Sequence, residues 1–420
     1  MRFLAMLAFL AAFAAAPVAA ETVAIVNARI LTAGAAGEIE SGTVVIRDGR
    51  ILSVGAAVRP PAGARIVDGA GGVVTPGFIQ ADSTLGAVEV SQVPPSADRA
   101  NQAAGLSAAF DISLGLNPDS ILLPVARLAG ITRAVVTPLQ GNRPAGELAF
   151  AGQAAVIDLG QRPDMVTRPR VAMVLEMGEA GAERSGGARG GAIVQLRAML
   201  DDVRHFARNR AAYDRGAGRP TRLSRLDLEA LVPVAEGRMP VIIKADRASD
   251  ILEMIVLARE ERLRLILDGA EEGWRVAEEI ARANIPVIVD PVANLPGSFS
   301  RLGATMENAA RLHAAGVTLV LRTGSGVAHR ARELRYGAGN AVAHGLPHGA
   351  ALAALTINPA RVFGLSDRIG SIDPGKEADI ILWSGDPFEP LSHPRAIFVR
   401  GIEQPLTSRQ QQLRDRYLPR

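Results

Sequence analysis

Acidic side chains and one lysine stand at the ends of short apolar runs. Glu176, Lys244 and Asp268 each end such a run, and Asp82 and Asp246 follow within two residues of one. A fixed ammonium can neutralise an acidic ring or polarise a substrate carbonyl, and carboxylate oxygens bind divalent metals. We therefore predict Lys244, Asp246 and Asp268 as catalytic residues. A salt bridge at Lys244 that only stabilises the cleft is the alternative interpretation.

The elements that must position these residues alternate between strand and helix. From residue 76 onward, short apolar runs, including 154–159, are separated by helical stretches such as 248–261. This repetition favours a parallel sheet with crossover helices. With about eight strands, the best match is α/β, a (β/α)8 TIM-type barrel over residues 76–365. The glycine-rich segment 178–191 is predicted to be a mobile loop.

Strand-like segments at both ends of the chain flank this barrel. They are 22–28, 42–47, 65–67, 378–383 and 396–400. We expect them to form a small composite β-sandwich domain, residues 21–75 plus 366–420, into which the barrel is inserted.

The chain resembles the amidohydrolase superfamily in three separate places. The first is 48–55 with the Thr-Pro-Gly segment 74–79, the second is 355–365, and the third is 368–380. The middle is similar to the imidazolonepropionase-like branch, in particular to a divergent, exported subgroup that lacks the His-x-His metal motif. The resemblance implies hydrolysis of a C–N bond in a cyclic or dipeptide-like amide, with a metal-activated water as the nucleophile.

The resemblance also identifies positions where the usual metal ligands are replaced. Asp82 and Thr84 stand where the family has His-x-His, Lys244 and Asp268 stand where relatives carry histidine, and Gly324 replaces the aspartate that is both metal ligand and general base. No metal ligand and no cofactor is therefore assigned. Zinc is the metal that the family implies.

The substrate pocket is expected at the same strand ends. Its residues are Asp82, Thr84, Glu176, Gly324 and Ser325. The chain has no cysteine, and its six histidines lack the family spacing, so neither residue type restores a zinc site. An all-oxygen set would suit magnesium, calcium or manganese better.

The first 20 residues are typical of a cleavable signal peptide. A charged start at Arg2 precedes an apolar run and the small residues Val18-Ala19-Ala20. We therefore expect a periplasmic or otherwise secreted protein that is not in the membrane after cleavage. The net charge is only +3, and the sequence has no run of basic residues. It therefore lacks the clustered positive charge that nucleic-acid-binding proteins use.

Three functions remain open on the sequence alone. The first is an amidohydrolase with altered ligands that acts on a small amide-like substrate. The second is a metal-free pseudoenzyme that forms a hetero- or homo-oligomer with an intact amidohydrolase relative. The third is a periplasmic protein that keeps the barrel mouth as a ligand pocket.

Overall fold

The computed structural model describes residues 21–103, 105–141, 146–324 and 327–418; the predicted signal peptide lies outside these ranges. The strands are β1 (Val23–Leu31), β2 (Glu38–Arg47), β3 (Arg50–Gly55), β4 (Arg65–Asp68), β5 (Val73–Pro76), β6 (Phe78–Ser83), β7 (Ile131–Val136), β8 (Gly152–Asp158), β9 (Val166–Glu176), β10 (Val241–Ala245), β11 (Leu265–Gly269), β12 (Val287–Val289), β13 (Leu319–Leu321), β14 (Ile380–Trp383), β15 (Pro394–Val399) and β16 (Ile402–Glu403).

The α-helices lie mainly between the barrel strands. They are α1 (Leu122–Arg127), α2 (Gly178–Arg184), α3 (Arg189–Arg208), α4 (Arg210–Asp214), α5 (Arg225–Ala235), α6 (Ala248–Glu261), α7 (Ala277–Arg282), α8 (Asn308–Ala314), α9 (Leu334–Ala343), α10 (His348–Leu355), α11 (Ile357–Val362) and α12 (Arg409–Tyr417). Within the described ranges, no helix combines the length and the apolar composition that crossing a membrane requires.

Strands from both ends of the chain form one mixed sheet, in the order β16-β15-β14-β5-β1-β2-β3, with β4 beside β1. β14 pairs antiparallel with β5, so the strand that follows the barrel lies beside the strand that precedes it. Trp383 on β14 is fully buried, donates a hydrogen bond from Nε1 to the Thr75 hydroxyl (2.9 Å) and stacks on Phe78. The composite sheet is confirmed, and its boundaries at residues 75 and 366 stay predictions.

The middle of the chain forms a second sheet, in the order β6 to β13, that curls into a nearly closed barrel. Gln80 on β6 donates a buried hydrogen bond from Nε2 to the carbonyl oxygen of Thr323, just after β13 (3.0 Å). This bond bridges the two edge strands where the barrel closes. The predicted TIM-type barrel with a composite β domain is confirmed as the fold class.

One barrel strand runs against the expected direction. The run 154–159 was predicted as one of the parallel strands, but β8 pairs antiparallel with both β7 and β9. The chain between β8 and β9 covers only residues 159–165. A parallel crossover needs about a dozen residues or more, so this short link can only form a hairpin.

Alternation along β10 to β13 places an apolar layer inside the barrel and charges above it. The apolar layer is formed by Ile242, Ile266, Ile288 and Val320. Residues two positions further along a strand point to the same face. Those positions are charged: Lys244, Asp268, Asp290 and Arg322. The fold therefore gathers charge at the carboxyl ends of the strands, where barrel enzymes carry their active sites.

The segment 178–191, predicted to be a mobile loop, is largely helical. α2 begins at Gly178, directly after β9, and α3 begins at Arg189. A Cβ atom on Gly181 would lie 2.8 Å from the carbonyl oxygen of Glu176. The missing side chain lets α2 pack close against the strand end, so glycine here serves packing and the loop prediction was wrong.

A buried arginine joins the barrel to the composite sheet. Arg133 on β7 donates from Nε to Asp379 (2.5 Å) and from Nη2 to Glu377 (2.7 Å), and both carboxylates lie just before β14. The Asp158 carboxylate lies 4.0 Å from its Nη1 atom. Removing one partner of a buried ion network leaves uncompensated charge, so this cluster fixes how the two sheets meet.

We predict that Arg133→Met lowers the free energy of unfolding by about 3–5 kcal/mol, because the buried Asp379 would lose its guanidinium partner and Glu377 would keep only the half-exposed Arg368. Urea unfolding of both proteins measures the difference. Arg29→Met is the matched control: Arg29 pairs with Glu38, and both side chains are nearly half exposed. That change should cost about 1 kcal/mol or less. Equal losses in the two variants would contradict the role given to Arg133.

Candidate functional site

Six charged side chains surround the carboxyl ends of the barrel strands. They are Asp82, Glu176, Lys244, Asp268, Asp290 and Arg322. The β-sheet register sets Lys244 beside Glu176 on one side and beside Asp268 on the other. Arg322 likewise lies among carboxylates. We call these six residues the charged ring; each of its two cations has carboxylates as neighbours.

Arg322 is the centre of the charged ring. Its side chain is only 4% exposed, and its Nε atom lies 2.7 Å from Asp268 Oδ1 and 3.6 Å from Asp82 Oδ2. Its Nη1 atom lies 3.9 Å from Asp290 Oδ2. Burial alone would lower the pKa of the guanidinium. The nearby carboxylates have the larger effect and hold this pKa above its ordinary value. Three carboxylates from three strands therefore converge on one permanent cation.

Asp82 reaches this cluster through a distortion of β6. Its φ angle is +50°, in the left-handed region, and the pairing of β6 with β7 shifts register between Gln80 and Ser83. Aspartate tolerates this conformation better than most residues. The Thr137 hydroxyl donates to Asp82 Oδ1 at 2.7 Å. The distortion and this hydrogen bond aim the carboxylate at Arg322.

Asp268 is held in a fully buried position. Burial raises the pKa of its carboxyl group, the charge of Arg322 opposes that rise most strongly, and Lys244 opposes it as well. Both cations of the charged ring thus act on one carboxylate. Lys244 and Arg322 are therefore electrostatically linked through Asp268.

A cavity of about 430 Å³ opens beside the charged ring. Its polar wall includes Glu176, Lys244 and Asp246, and residues 297–301 form another side. Arg301 pairs with Asp246 through Nε and Oδ2 at 3.0 Å. The Asp246 Oδ1 atom is buried and has no hydrogen-bond partner within the described part of the chain. The cavity thus combines both charge signs on one wall.

Glu271 lies close to this cavity wall and was not predicted from the sequence. It is 2% exposed. Burial first, and then the negative charge of Asp246, raise the pKa of Glu271 to about 8. Glu271 is therefore a carboxyl group that exchanges a proton near neutral pH.

The structure brings the predicted site residues to one end of the barrel, in two groups. Lys244, Asp246 and Glu176 line the cavity. Asp82 and Asp268 contact Arg322 instead. The predicted catalytic residues are therefore neighbours, although Asp268 contacts the guanidinium and Asp246 contacts a loop arginine.

The remaining predicted pocket residues contribute little chemistry. Thr84 is buried, and its hydroxyl has no hydrogen-bond partner within the described ranges. Gly324 has a φ angle of +61°, and a Cβ atom there would lie 2.4 Å from the Cβ atom of Arg330. Its backbone N–H donates to Asp290 at 3.4 Å. Ser325 lies outside the described residues.

Sequence reasoning missed Arg322 and Asp290 as well as Glu271. Strand alternation identifies Arg322 and Asp290, because residues two positions apart on a strand point to the same face. Arg322 stands two residues after Val320, and Asp290 two residues after Ile288, and both apolar residues belong to the layer inside the barrel. No pattern in the sequence indicates the raised pKa of Glu271, since that pKa depends on burial by residues distant in the chain.

The donor set does not fit the zinc site that the fold family implies. Zinc sites use three or more histidine, cysteine or carboxylate ligands around one point. No group of histidine, aspartate and glutamate side chains in the ranges described has that arrangement. The carboxylates of Asp82, Asp268 and Asp290 instead face the guanidinium of Arg322. A divalent cation would have to occupy the space beside a fixed positive charge, so no step through a metal follows from these residues.

The fold and the site together define a TIM-type barrel protein with polar residues at the carboxyl ends of its strands. The family model of the amidohydrolase family matches residues 210–407. A solved amidohydrolase from Thermotoga maritima is 25% identical, with a TM-score of 0.79 over 91% of this chain and 99% of that chain. N-isopropylammelide isopropylaminohydrolase from Burkholderia multivorans shares the fold at 14% identity, with a TM-score of 0.50 over 91% of this chain and 98% of that chain.

Curated relatives match shorter segments. A 5-methylthioadenosine/S-adenosylhomocysteine deaminase from Desulforudis audaxviator is 37% identical over 101 residues, which is 22% of this chain and 24% of the relative. An amidohydrolase of Hapsidospora irregularis is 39% identical over 61 residues, 14% of this chain and 6% of the relative. The chain thus spans a quarter or less of the length of these two proteins.

Residues 210–407 thus match the amidohydrolase family, and the solved structures similar to the whole chain include an amidohydrolase and other hydrolases that act on C–N bonds. The resemblance predicted from the three motifs is confirmed. The assignment to an exported subgroup stays a prediction.

We predict that Arg322→Met lowers the free energy of unfolding by about 3–5 kcal/mol at neutral pH, because three carboxylates would lose their buried cation. The loss should shrink as the pH falls, since burial raises the pKa of the Asp268 carboxyl group and its protonation removes one of the uncompensated charges. Urea unfolding at pH 5 and pH 7.5 measures both effects. Arg330→Met, at a nearby half-exposed ion pair with Glu333, should change little. A loss that does not depend on pH would count against this account.

A second prediction concerns Glu271. With a folded pKa of about 8 against 4.5 for an ordinary glutamate, the folded protein keeps a proton that the unfolded chain has released. Stability should therefore fall as the pH rises from 5 to 8, by up to about 1.4 kcal/mol per pH unit from this group. Glu271→Gln should flatten that slope, and Glu278→Gln, at an exposed position, should not. Parallel slopes in wild type and Glu271→Gln would refute the assignment.

Proposed function

We propose that this chain is a metal-independent member of the amidohydrolase superfamily that binds a small polar ligand at the barrel mouth without hydrolysing it. The observation that carries the proposal is the guanidinium of Arg322 among the carboxylates of Asp82, Asp268 and Asp290. Like a divalent cation, it supplies positive charge at the strand ends. Unlike one, it has no coordination position that could bind a water oxygen and lower the pKa of that water to near neutrality.

The loss of the family's general base supports the same proposal. Gly324 stands at that position without a side chain, and the space beside it is filled by Arg330. Neither Arg322 nor Arg330 can accept a proton from water. The route that the family resemblance implies would have no base at this position, and the carboxylates that a metal would need face Arg322 instead.

The cavity beside the charged ring supports a retained binding role. Its volume of about 430 Å³ lies in the range of small-molecule sites. Lys244 and Arg301 offer positive charge, and Glu176 and Asp246 offer negative charge. A small ligand that carries both donors and acceptors, such as an amide, fits this lining.

One observation favours a second candidate, an amide hydrolase that uses no metal. Glu271 has a pKa of about 8, so it can both donate and accept a proton near neutral pH. Lys244 would then polarise the substrate carbonyl. Hydrolysis of a small amide by the wild type, lost in both Lys244→Met and Glu271→Gln, would favour this candidate over binding alone.

We predict that the purified mature protein keeps no divalent metal after dialysis, as measured by elemental mass spectrometry. Chelator should leave its melting temperature unchanged, and added zinc or manganese should not raise it. The reason is that the carboxylates near Arg322 stay paired with its guanidinium and are not available to bind a metal. A metal held at 100 times its dissociation constant would add about 2.7 kcal/mol of stability, which is easily measured. About one tightly held metal per chain, together with destabilisation by chelator, would overturn the proposed function.

We further propose that the chain is exported, on the signal-like pattern of its first 20 residues. N-terminal sequencing of the protein from a cell envelope fraction should begin at Glu21. A mature chain that still carries residues 1–20 would contradict this proposal.

A further inference from the structure

A further buried arginine lies at the other end of the barrel from the charged ring and has few hydrogen-bond partners. Arg127, the last residue of α1, is 1% exposed. Its Nη1 atom donates to the carbonyl oxygen of Leu159 at 2.6 Å. Its Nε and Nη2 atoms are buried and have no hydrogen-bond partner within the described part of the chain. Burial lowers the pKa of this guanidinium, and no carboxylate offsets that effect.

Other buried arginines of this protein are well partnered. Arg133 and Arg322 each contact three carboxylates. Arg335 donates to the carbonyl oxygens of Pro387 (3.0 Å) and Ser392 (2.9 Å) and has further acceptors. An unpaired buried charge costs several kcal/mol, as a rough scale. Arg127 therefore stands out in its own structure as a cation that lacks an acceptor.

The same side chain forms part of the wall of a cavity. The cavity measures about 380 Å³ and is also lined by Asp119, Ser120, Gly160 and Arg162. α1 precedes β7, and Gly160 follows β8, so the cavity lies at the end of the barrel opposite the charged ring. Arg162 already pairs with Asp164 (2.8 Å). Arg127 is the cation of this wall that has no carboxylate partner in the described ranges.

We propose that this cavity binds a small oxyanion, a phosphate or a carboxylate group, with the guanidinium of Arg127 as its principal partner. A guanidinium presents its N–H groups as a planar fork that matches two oxygens of such a group. The free donors Nε and Nη2 form one such pair. The volume admits an inorganic anion or the acidic end of a larger metabolite. This site is independent of the function proposed for the charged ring.

Inorganic phosphate is the probe for the first test. Millimolar sodium phosphate should raise the melting temperature of the wild type by about 2 °C or more, relative to sodium chloride at equal ionic strength. Sodium acetate in a parallel series distinguishes a carboxylate site from a phosphate site. A shift with acetate alone assigns a carboxylate ligand, and a shift with phosphate assigns a phosphate-bearing one. No shift with either anion in the wild type would overturn the proposal, whatever the variants do.

Variants locate the effect. Arg127→Gln should abolish the anion-dependent shift and should melt no lower than the wild type in chloride, because it removes an uncompensated charge. Arg197→Gln, at an exposed ion pair with Glu260, should keep the shift. Asp119→Asn should keep or enlarge it, since the exposed Asp119 carboxylate repels an anion. An undiminished shift in Arg127→Gln would overturn the proposal, as would a shift lost in Asp119→Asn, because removal of a repelling carboxylate cannot weaken an anion bound to Arg127.

Discussion

Three carboxylates buried at one end of a barrel require a cation, and in this protein the cation is covalently part of the chain. Arg322 meets Asp82, Asp268 and Asp290 within 3.9 Å. Because the guanidinium is part of β13's continuation, a positive charge is in place among the carboxylates as soon as the barrel folds. The distorted end of β6 serves the same interaction, since it aims the Asp82 carboxylate at Arg322.

A buried arginine paired with several carboxylates also occurs where the two sheets meet. Arg133 brings together Asp379 and Glu377 from the chain before β14, as Arg322 brings together carboxylates from separate strands. In both places a planar, permanently charged group with several donors serves several acceptors at once. Of 46 basic residues only Lys244 and Lys376 are lysines, so arginine is the cation available for such sites. The lysine at the cavity is the exception within the charged ring.

The sequence predicted well what depends on local pattern. The helix 248–261 was predicted with the bounds that α6 has, and the composite sheet was found from strand-like segments at both ends. The predicted direction of β8 was wrong, since apolar composition does not encode strand direction, whereas the short link between β8 and β9 does. Glycines in 178–191 indicated a loop, whereas Gly181 allows close helix packing. The strand-end positions of Lys244, Asp246 and Asp268 were predicted from the sequence. Their ion-pair partners were not, because residue spacing does not show which side chains meet in three dimensions.

The crowding at Gly324 limits which side chains this position can accept. An acidic residue there would adopt a backbone φ of +61° and place its Cβ atom 2.4 Å from the Cβ atom of Arg330. The neighbouring carboxylates would still face the guanidinium of Arg322. A metal site at these strand ends would therefore require coordinated changes at Gly324, Arg322 and Arg330, because a substitution at position 324 alone meets a steric clash and leaves the competing cation in place.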